Sequence, residues 1–552
     1  MRHTIQPLGR LLGAFVIALC ASLAQAAVPG ITSTNGTAGT FNLSAAAGQT
    51  SQPDGASIYT WGYGCSGTGA TFAPANLVSG ASCGAMQLPG PTLIVNQGST
   101  VTVTLTNKLP AAAGNTSILF PGFRVVATGG VAGPLTQEAA PGLSVSYSFV
   151  ADTAGTHSYY SGTQSDLQVE MGLYGALIVL PAKIGTSTTG APTYTALGAN
   201  VPSTYTVQAG GTAAAPGLPN SCFAVGGKLG KLQDSGDFRL AAAAYDHPGA
   251  CYEREYLFQF AEMDPAIHTQ VQEQVLAKPT CANATGCLTI ATEPYHPAYF
   301  LINGRSFPDI ADPIYAGQYP HQPYNGNPHM HPGELVLVRV IGQGRLQHPF
   351  HEHANHLRVL ARDGNLLLTP SNKLAGPLLF TTTTTPGQAL DAIFQYTGKG
   401  LNWDVYAHAD GITTETCAPD ANGYFTTGSG ATGAEANYYE WCADHKKPLE
   451  NKPFGSVGGG GPVTLPDPNV LVNGAWYSGS PYLGPDANAR SVGPTPIPPF
   501  GTIANSPGTE AGFAFMWHSH NEREITTNNI FPGGMMMMML VDPWVFLINE
   551  AN

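Results

Sequence analysis

Two short segments gather residues suited to metal chemistry. One is His348-Pro349-Phe350-His351-Glu352-His353, followed by Ala354, Asn355 and His356; the other is Trp517-His518-Ser519-His520-Asn521-Glu522. If both are strands, residues two apart share a face. His351 and His353 then point one way, His518 and His520 form a matching pair, and two such strands side by side bring four imidazoles to one point. Neutral imidazole suits copper, zinc, iron or nickel, and four together can hold one ion or a close pair. A single histidine is usually an ordinary core or surface residue. Two H-x-H pairs are harder to read that way, because so many partly buried imidazoles need partners. His348, three residues before His351, falls on the opposite strand face, and Ser519 points away from His518 and His520. His348 and Ser519 thus define a second pocket backing onto the first.

Other features carry less. His329-Met330-His331, after His321, sits in a Pro/Gly-rich stretch and offers imidazole and thioether to copper, but a solvated loop is the plainer expectation. The run Met535 to Met539 is expected to pack in a core, with Met535 the residue best placed to be an exception. Glu522, Arg523 and Glu524 read as a charged loop, Glu352 faces away from the histidine pair, and His408 follows Trp403-Asp404-Val405-Tyr406 without a partner in view. There is no phosphate-cradling loop between strand and helix and no nucleophile elbow.

The elements that must position these residues are strands. Charged residues are only 10% of the chain, against 67 Gly and 45 Pro among 552 residues, a turn-rich β profile. Pro91 to Val95, Thr100 to Asn107, Val145 to Val150 and Leu173 to Leu180 form a first antiparallel sandwich over residues 40–183. A Gly/Ala/Thr/Pro-rich connector follows over 184–250. A second β unit over 251–545 uses Tyr256 to Phe260, Tyr299 to Gly304, Glu334 to Ile341, His348 to Asp363, Leu390 to Tyr396, Trp403 to Tyr406, Phe513 to His520 and Met535 to Val541, with a long insertion at about 410–510.

The N-terminus has a basic start, an apolar run from Leu11 to Ala24 and an A-x-A site at Ala24-Gln25-Ala26. Residues 1–26 are expected to be a signal peptide, exporting the chain to the periplasm or beyond. Losing Arg2 and Arg10 lowers the basic count from 22 to 20 against 35 acids, a charge of −15. No nucleic-acid partner and no membrane span are expected. Eight cysteines remain after Cys20 is removed, in neighbouring pairs that read as disulfides: Cys65/Cys83, Cys222/Cys251, Cys281/Cys287 and Cys417/Cys442.

These motifs resemble those of the multicopper oxidases, the laccases and ascorbate oxidases among them. Residues 348–353 match the family's HPxHxH motif, and His518-Ser519-His520 matches the start of HCHxxxH except at its middle residue. Pro91 to Gly98 and Gly172 to Val179 also resemble the family. The resemblance implies an all-β chain of tandem cupredoxin-like (plastocyanin-like) Greek-key sandwiches with long loop insertions. It implies copper, with His351, His353, His518 and His520 at a cluster and His348 at a blue-copper pocket. The departures matter as much. The blue-copper cysteine falls on Ser519, the histidine five residues beyond it falls on Glu524, and Met535 is a displaced axial ligand at best. A serine hydroxyl cannot replace thiolate covalency, so no normal type 1 site is expected. In the first unit the family's HxHG and HxH motifs fall near Phe120-Pro121-Gly122 and Tyr159-Tyr160-Ser161-Gly162, with only His157 close by.

Two readings stay open. The chain is a copper-dependent oxidoreductase holding one or two coppers, or another transition metal, and acting on a small-molecule or metal-ion substrate with dioxygen. Alternatively it is a non-catalytic copper-binding or structural protein. Two-domain members of the superfamily also assemble with sites between subunits, so a homo-oligomer belongs among the expectations.

Overall fold

The computed structural model describes residues 28–73, 81–182, 240, 243–281, 286–354, 356–396, 419–424, 443, 479–482, 512–541 and 548. The expected signal peptide at 1–26, most of the 184–250 connector, Trp403 to His408 and most of the 410–510 insertion lie outside them. Among the described residues no helix is long and apolar enough to cross a membrane.

The first sandwich packs two five-stranded sheets. One runs Gly155–Tyr160, Tyr174–Leu180, Leu93–Asn96, Gly30–Ser33, Thr71–Ala73; the other runs Ser57–Cys65, Thr40–Ser51, Thr100–Asn107, Ser144–Val150, Val126–Gly129. The alternation in Thr100–Asn107 does what a period of two dictates: Val101, Val103 and Leu105 are buried while the threonines face out. They meet Phe41, Trp61, Leu93, Tyr147 and Leu177 in one core. The sandwich is mixed rather than purely antiparallel, since Leu93–Asn96 runs parallel to Tyr174–Leu180 and Thr40–Ser51 parallel to Thr100–Asn107. Neighbours distant in sequence require crossovers, which hairpin-by-hairpin reading does not capture.

The second sandwich packs a seven-stranded sheet, which includes Arg254–Met263, Val336–Gly342, Ala389–Phe394 and Leu357–Arg362, on a six-stranded one. The six-stranded sheet carries the metal-type histidines, on His348–Glu352 and Gly512–Ser519. Phe258, Phe260, Val338, Phe350, Phe394, Trp517 and Met537 fill the space between them. His348 to Asp363 is two strands, not one. His348–Glu352 belongs to the six-stranded sheet and Leu357–Arg362 to the seven-stranded sheet. The chain changes sheets at Ala354, whose φ of 84° is a left-handed turn unusual for a residue with a Cβ.

His329-Met330-His331 is likewise no solvated loop. All three residues are buried, and His329–Met330 pairs in parallel with the Met536–Val541 strand. His331 Nδ1 lies 3.1 Å from Glu334, whose other oxygen takes Arg254 at 2.6 Å. Met535, Met537 and Met539 are core residues. A longer helix, Pro265–Ala277, interrupts the mainly β chain. Its start was marked in the sequence: Asp264 accepts from Ala266 N as N-cap and Pro265 follows at the first helical position.

The sandwiches meet along Gly155–Tyr160, which packs on Val336–Gly342 and Ala389–Phe394. Thr156 donates from both its backbone N and its hydroxyl to Asp391, at 3.1 and 2.6 Å, and Arg339 reaches Glu255 at 2.8 Å. Cys65–Cys83 and Cys281–Cys287 are bonded as adjacency suggests, and Cys251 is disulfide-bonded. Cys222, Cys417 and Cys442 lie outside the described residues.

Candidate metal centre

The register of two neighbouring strands builds the site. His348–Glu352 and Gly512–Ser519 run antiparallel with His351 directly opposite His518 and Glu352 opposite Trp517. The same register extends past the strand ends: His353 N donates to Met516 O at 3.3 Å, and His520 N to Pro349 O at 2.7 Å. Alternation then divides the side chains. Phe350 and Trp517 enter the core, while His351, His353, His518 and His520 share the other face.

Ligand nitrogens of His351, His353 and His518 all lie within 4.8 Å of one another, and each residue is only 6–7% exposed. His520 stands at the rim. Its ring centre is 4.7 Å from that of His351, but its side chain is 53% exposed and its Nδ1 lies 3.6 Å from Glu522. Phe380, edge-on to His351 at 5.8 Å and 47% exposed, is a second rim residue.

Outer contacts fix the rings. His518 Nδ1 lies 2.6 Å from the Ser519 carbonyl, which can only accept, so this nitrogen carries the proton and Nε2 is left to face the cluster. His351 Nδ1 is held 2.8 Å from the Thr381 hydroxyl. Trp517 Nε1 donates to the His353 carbonyl at 3.1 Å from within an aromatic cage of Phe258, Phe350 and Phe394. Trp517→Phe should keep most of the packing, leave that carbonyl without its donor and cost about 1–3 kcal/mol, read as a shift in the urea midpoint.

The donor set fits a metal. His518 Nε2 and His353 Nε2 are 3.2 Å apart. Two imidazole nitrogens each about 2.0–2.1 Å from one ion at a near-tetrahedral angle stand about 3.3 Å apart. Without an ion one proton must lie between them, and a cation would take its place. Burial, followed by the neighbouring His518 and His520, lowers the His351 pKa to about 4. Burial also lowers that of His518. Both rings are thus neutral near pH 7, the form a metal requires. The sign for the metal-free protein follows. A histidine depressed below its unfolded value of about 6.5 contributes stability that is complete above that pH and is lost as pH falls toward about 4. Acid titration of the metal-free protein should show this loss, and His351→Gln should flatten it.

The opposite face holds a different arrangement. His348 is fully buried, with Nε2 2.9 Å from Glu262 Oε2 and Nδ1 2.9 Å from Glu524 Oε2. Ser519 Oγ donates to Glu524 Oε2 at 2.5 Å, and Asn521 Nδ2 to Glu524 Oε1 at 2.9 Å. His348, expected at a metal pocket, therefore has both ring nitrogens turned to carboxylates and offers no lone pair to an ion in this arrangement. Burial opposes its charge, but the hydrogen bonds to Glu262 and Glu524 outweigh it and push its pKa up to about 9. Met535 contributes its backbone, accepting from Ser519 N and donating to Glu524 O. Glu262 was the residue sequence reasoning missed. It is the second acid of the strand Arg254–Met263, after Glu255, and no local pattern singles it out.

His157 lies with the other sheet. Its Nε2 is 3.0 Å from the Thr153 carbonyl and its ring packs on Phe123. Glu352, on the core face, is buried and accepts from Thr382 Oγ1 at 3.1 Å.

Residues 81–184 match the family profile described as "Multicopper oxidase". Over 98 residues the chain is 37% identical to "Laccase abr2" of Aspergillus fumigatus, covering 17% of this chain and 16% of that protein. Over 100 residues it is 38% identical to "L-ascorbate oxidase" of Brassica rapa subsp. pekinensis, covering 18% and 17%. The match thus spans about one sixth of each relative's length. The solved "Blue Copper Oxidase from Nitrosomonas europaea" aligns over 90% of this chain and 84% of its own, at 14% identity and a TM-score of 0.41. The sequence match of residues 81–184, in the first sandwich, thus supports the multicopper oxidase superfamily for this chain.

Proposed function

We propose that this protein is an exported copper-dependent oxidoreductase whose metal is held by His351, His353 and His518, with His520 at the mouth, and which has no type 1 copper. The observation that carries this reading is the 3.2 Å approach of the His353 and His518 nitrogens inside a buried three-histidine cluster. Copper bound there would supply one-electron chemistry toward dioxygen or a small reductant. The chain's own part is to keep the His351 and His518 rings neutral by burial and to position the cluster through Thr381, the Ser519 carbonyl and the bond from Trp517 to the His353 carbonyl. Two groups, His520 and Phe380, line the opening through which a small substrate would approach. With Ser519 in place of a thiolate and His348 between two carboxylates, electrons would enter at the cluster itself.

A second reading, a non-catalytic copper-binding protein, draws support from the first sandwich. The family-matching segment 81–184 contains a single histidine, His157, and that ring is engaged at the sandwich interface. One preparation separates the two. Metal analysis and electron paramagnetic resonance of the mature protein should find about one or two coppers per chain without an intense blue band, and oxygen uptake should accompany a reductant such as a phenol or ferrous iron. Copper without oxygen uptake supports the binding protein, absence of copper sinks both, and an intense blue colour would overturn the absence of a type 1 centre.

A further inference from the structure

The buried group behind the cluster carries more charge than its packing requires. Glu262, His348 and Glu524 form an in-line triad with relative side-chain exposures of 0–2%. Both carboxylates are also held by fixed partners. Glu262 Oε1 accepts the backbone N–H of Leu346 and the Tyr295 hydroxyl at 2.9 and 3.3 Å. Glu524 takes Ser519 and Asn521. Two side-chain cations lie near the triad in sequence, and both bond elsewhere: Arg345 takes Glu293 at 2.6 Å with its guanidinium over the Tyr295 ring, and Arg523 takes the Asn529 side chain and the Pro297 carbonyl. Two carboxylates around one imidazole leave a net negative charge even when the ring is a cation. That charge is coupled to the cluster through one residue: Ser519 binds Glu524 with its hydroxyl and His518 with its carbonyl.

We propose that the Glu262–His348–Glu524 triad is a fixed anionic counter-charge that favours the more highly charged oxidation state of an ion held by His351, His353 and His518. This rests on the metal-site reading above and assigns to the triad residues a tuning role, with no contact to substrate or metal. A carboxylate on the far face of the strands that carry the ligands, in a medium far less polarisable than water, attracts a dication more than a monocation. Neutralising one carboxylate should therefore lower Cu²⁺ affinity more than Cu⁺ affinity.

The test compares the wild type with Glu262→Gln and Glu524→Gln, measuring Cu²⁺ and Cu⁺ affinities by chelator competition. Each variant should lower the Cu²⁺-to-Cu⁺ affinity ratio by about tenfold, equivalent to a rise of about 59 mV in a one-electron potential. A shift in Glu524→Gln alone would mean that the triad only positions His518 through Ser519, and it overturns the electrostatic role. An unchanged ratio in both variants, with copper still bound, overturns the inference and leaves the metal site standing. A wild type that binds no copper overturns both. Nitrogen-15 NMR of the metal-free protein supplies a readout independent of copper. The wild type should show both His348 ring N–H protons protected near pH 7, and a single exchanging proton there would contradict the triad.

Discussion

In a His518→Ala variant, copper affinity is expected to fall by at least about 100-fold, the upper range found for losing an outer contact alone. The expectation follows from geometry. His518 is the ring shared by the closest pair, 3.2 Å from His353, and it stands directly across the sheet from His351. Without it the two remaining rings, 5.0 Å apart at their centres, offer a two-nitrogen site on one strand. The folded metal-free protein should tolerate the loss, because a neutral ring held against its own neighbour's carbonyl carries no ion pair. Linkage makes the effect visible as stability. At a free metal concentration about 1,000 times the wild-type Kd, binding stabilises the native state by about 4.1 kcal/mol, whereas a site 100-fold weaker gives about 1.4 kcal/mol. Thermal unfolding with and without copper should therefore converge in the variant. His520→Ala is the control: its exposed ring should cost roughly tenfold or less. Full metal-linked stabilisation in His518→Ala would remove the three-histidine site.

The part of this arrangement legible in the sequence is the part governed by a period of two. Spacing alone put His351 and His353 on one face, His518 and His520 on one face, and His348 and Ser519 behind them, and the strand pairing has those orientations. What spacing could not give was the partner across the sandwich. Glu262 is 86 residues from His348, and nothing local distinguishes a buried acid that meets a histidine from a surface acid near a strand end. The sheet change at Ala354 was hidden for a related reason. Residues 348–363 read as one strand segment, and the division shows only in the left-handed backbone of Ala354 and in the different sheet partners on either side. The His329–His331 stretch misled in the other direction. Flanking Pro and Gly suggested exposure, yet Glu334 and Arg254 hold the buried His331 ring there. The first sandwich was readable as strands, but its parallel pairs depend on crossovers between segments about 60 to 80 residues apart, which no local pattern encodes.

The second large effect belongs to His348. A histidine whose folded pKa is raised from about 6.5 to about 9 contributes stability that is complete below the unfolded value and is lost as pH rises through the folded one. That difference corresponds to about 3 kcal/mol, a large share of a typical domain's stability. The metal-free protein should therefore weaken on the alkaline side, between about pH 6.5 and 9, as well as on the acid side where His351 and His518 take up protons. Urea midpoints across pH 5 to 10 should trace a dome with its top near neutrality. Two substitutions divide the causes. His348→Gln removes the alkaline limb but leaves two buried carboxylates facing an uncharged amide, so it should cost about 3–5 kcal/mol near pH 7. Glu524→Gln leaves the imidazolium one carboxylate, Glu262, and should shift the alkaline limb to lower pH while costing less. If the alkaline limb survives unchanged in His348→Gln, the titrating group is another residue and the ring between Glu262 and Glu524 is not the charge that holds these strands together.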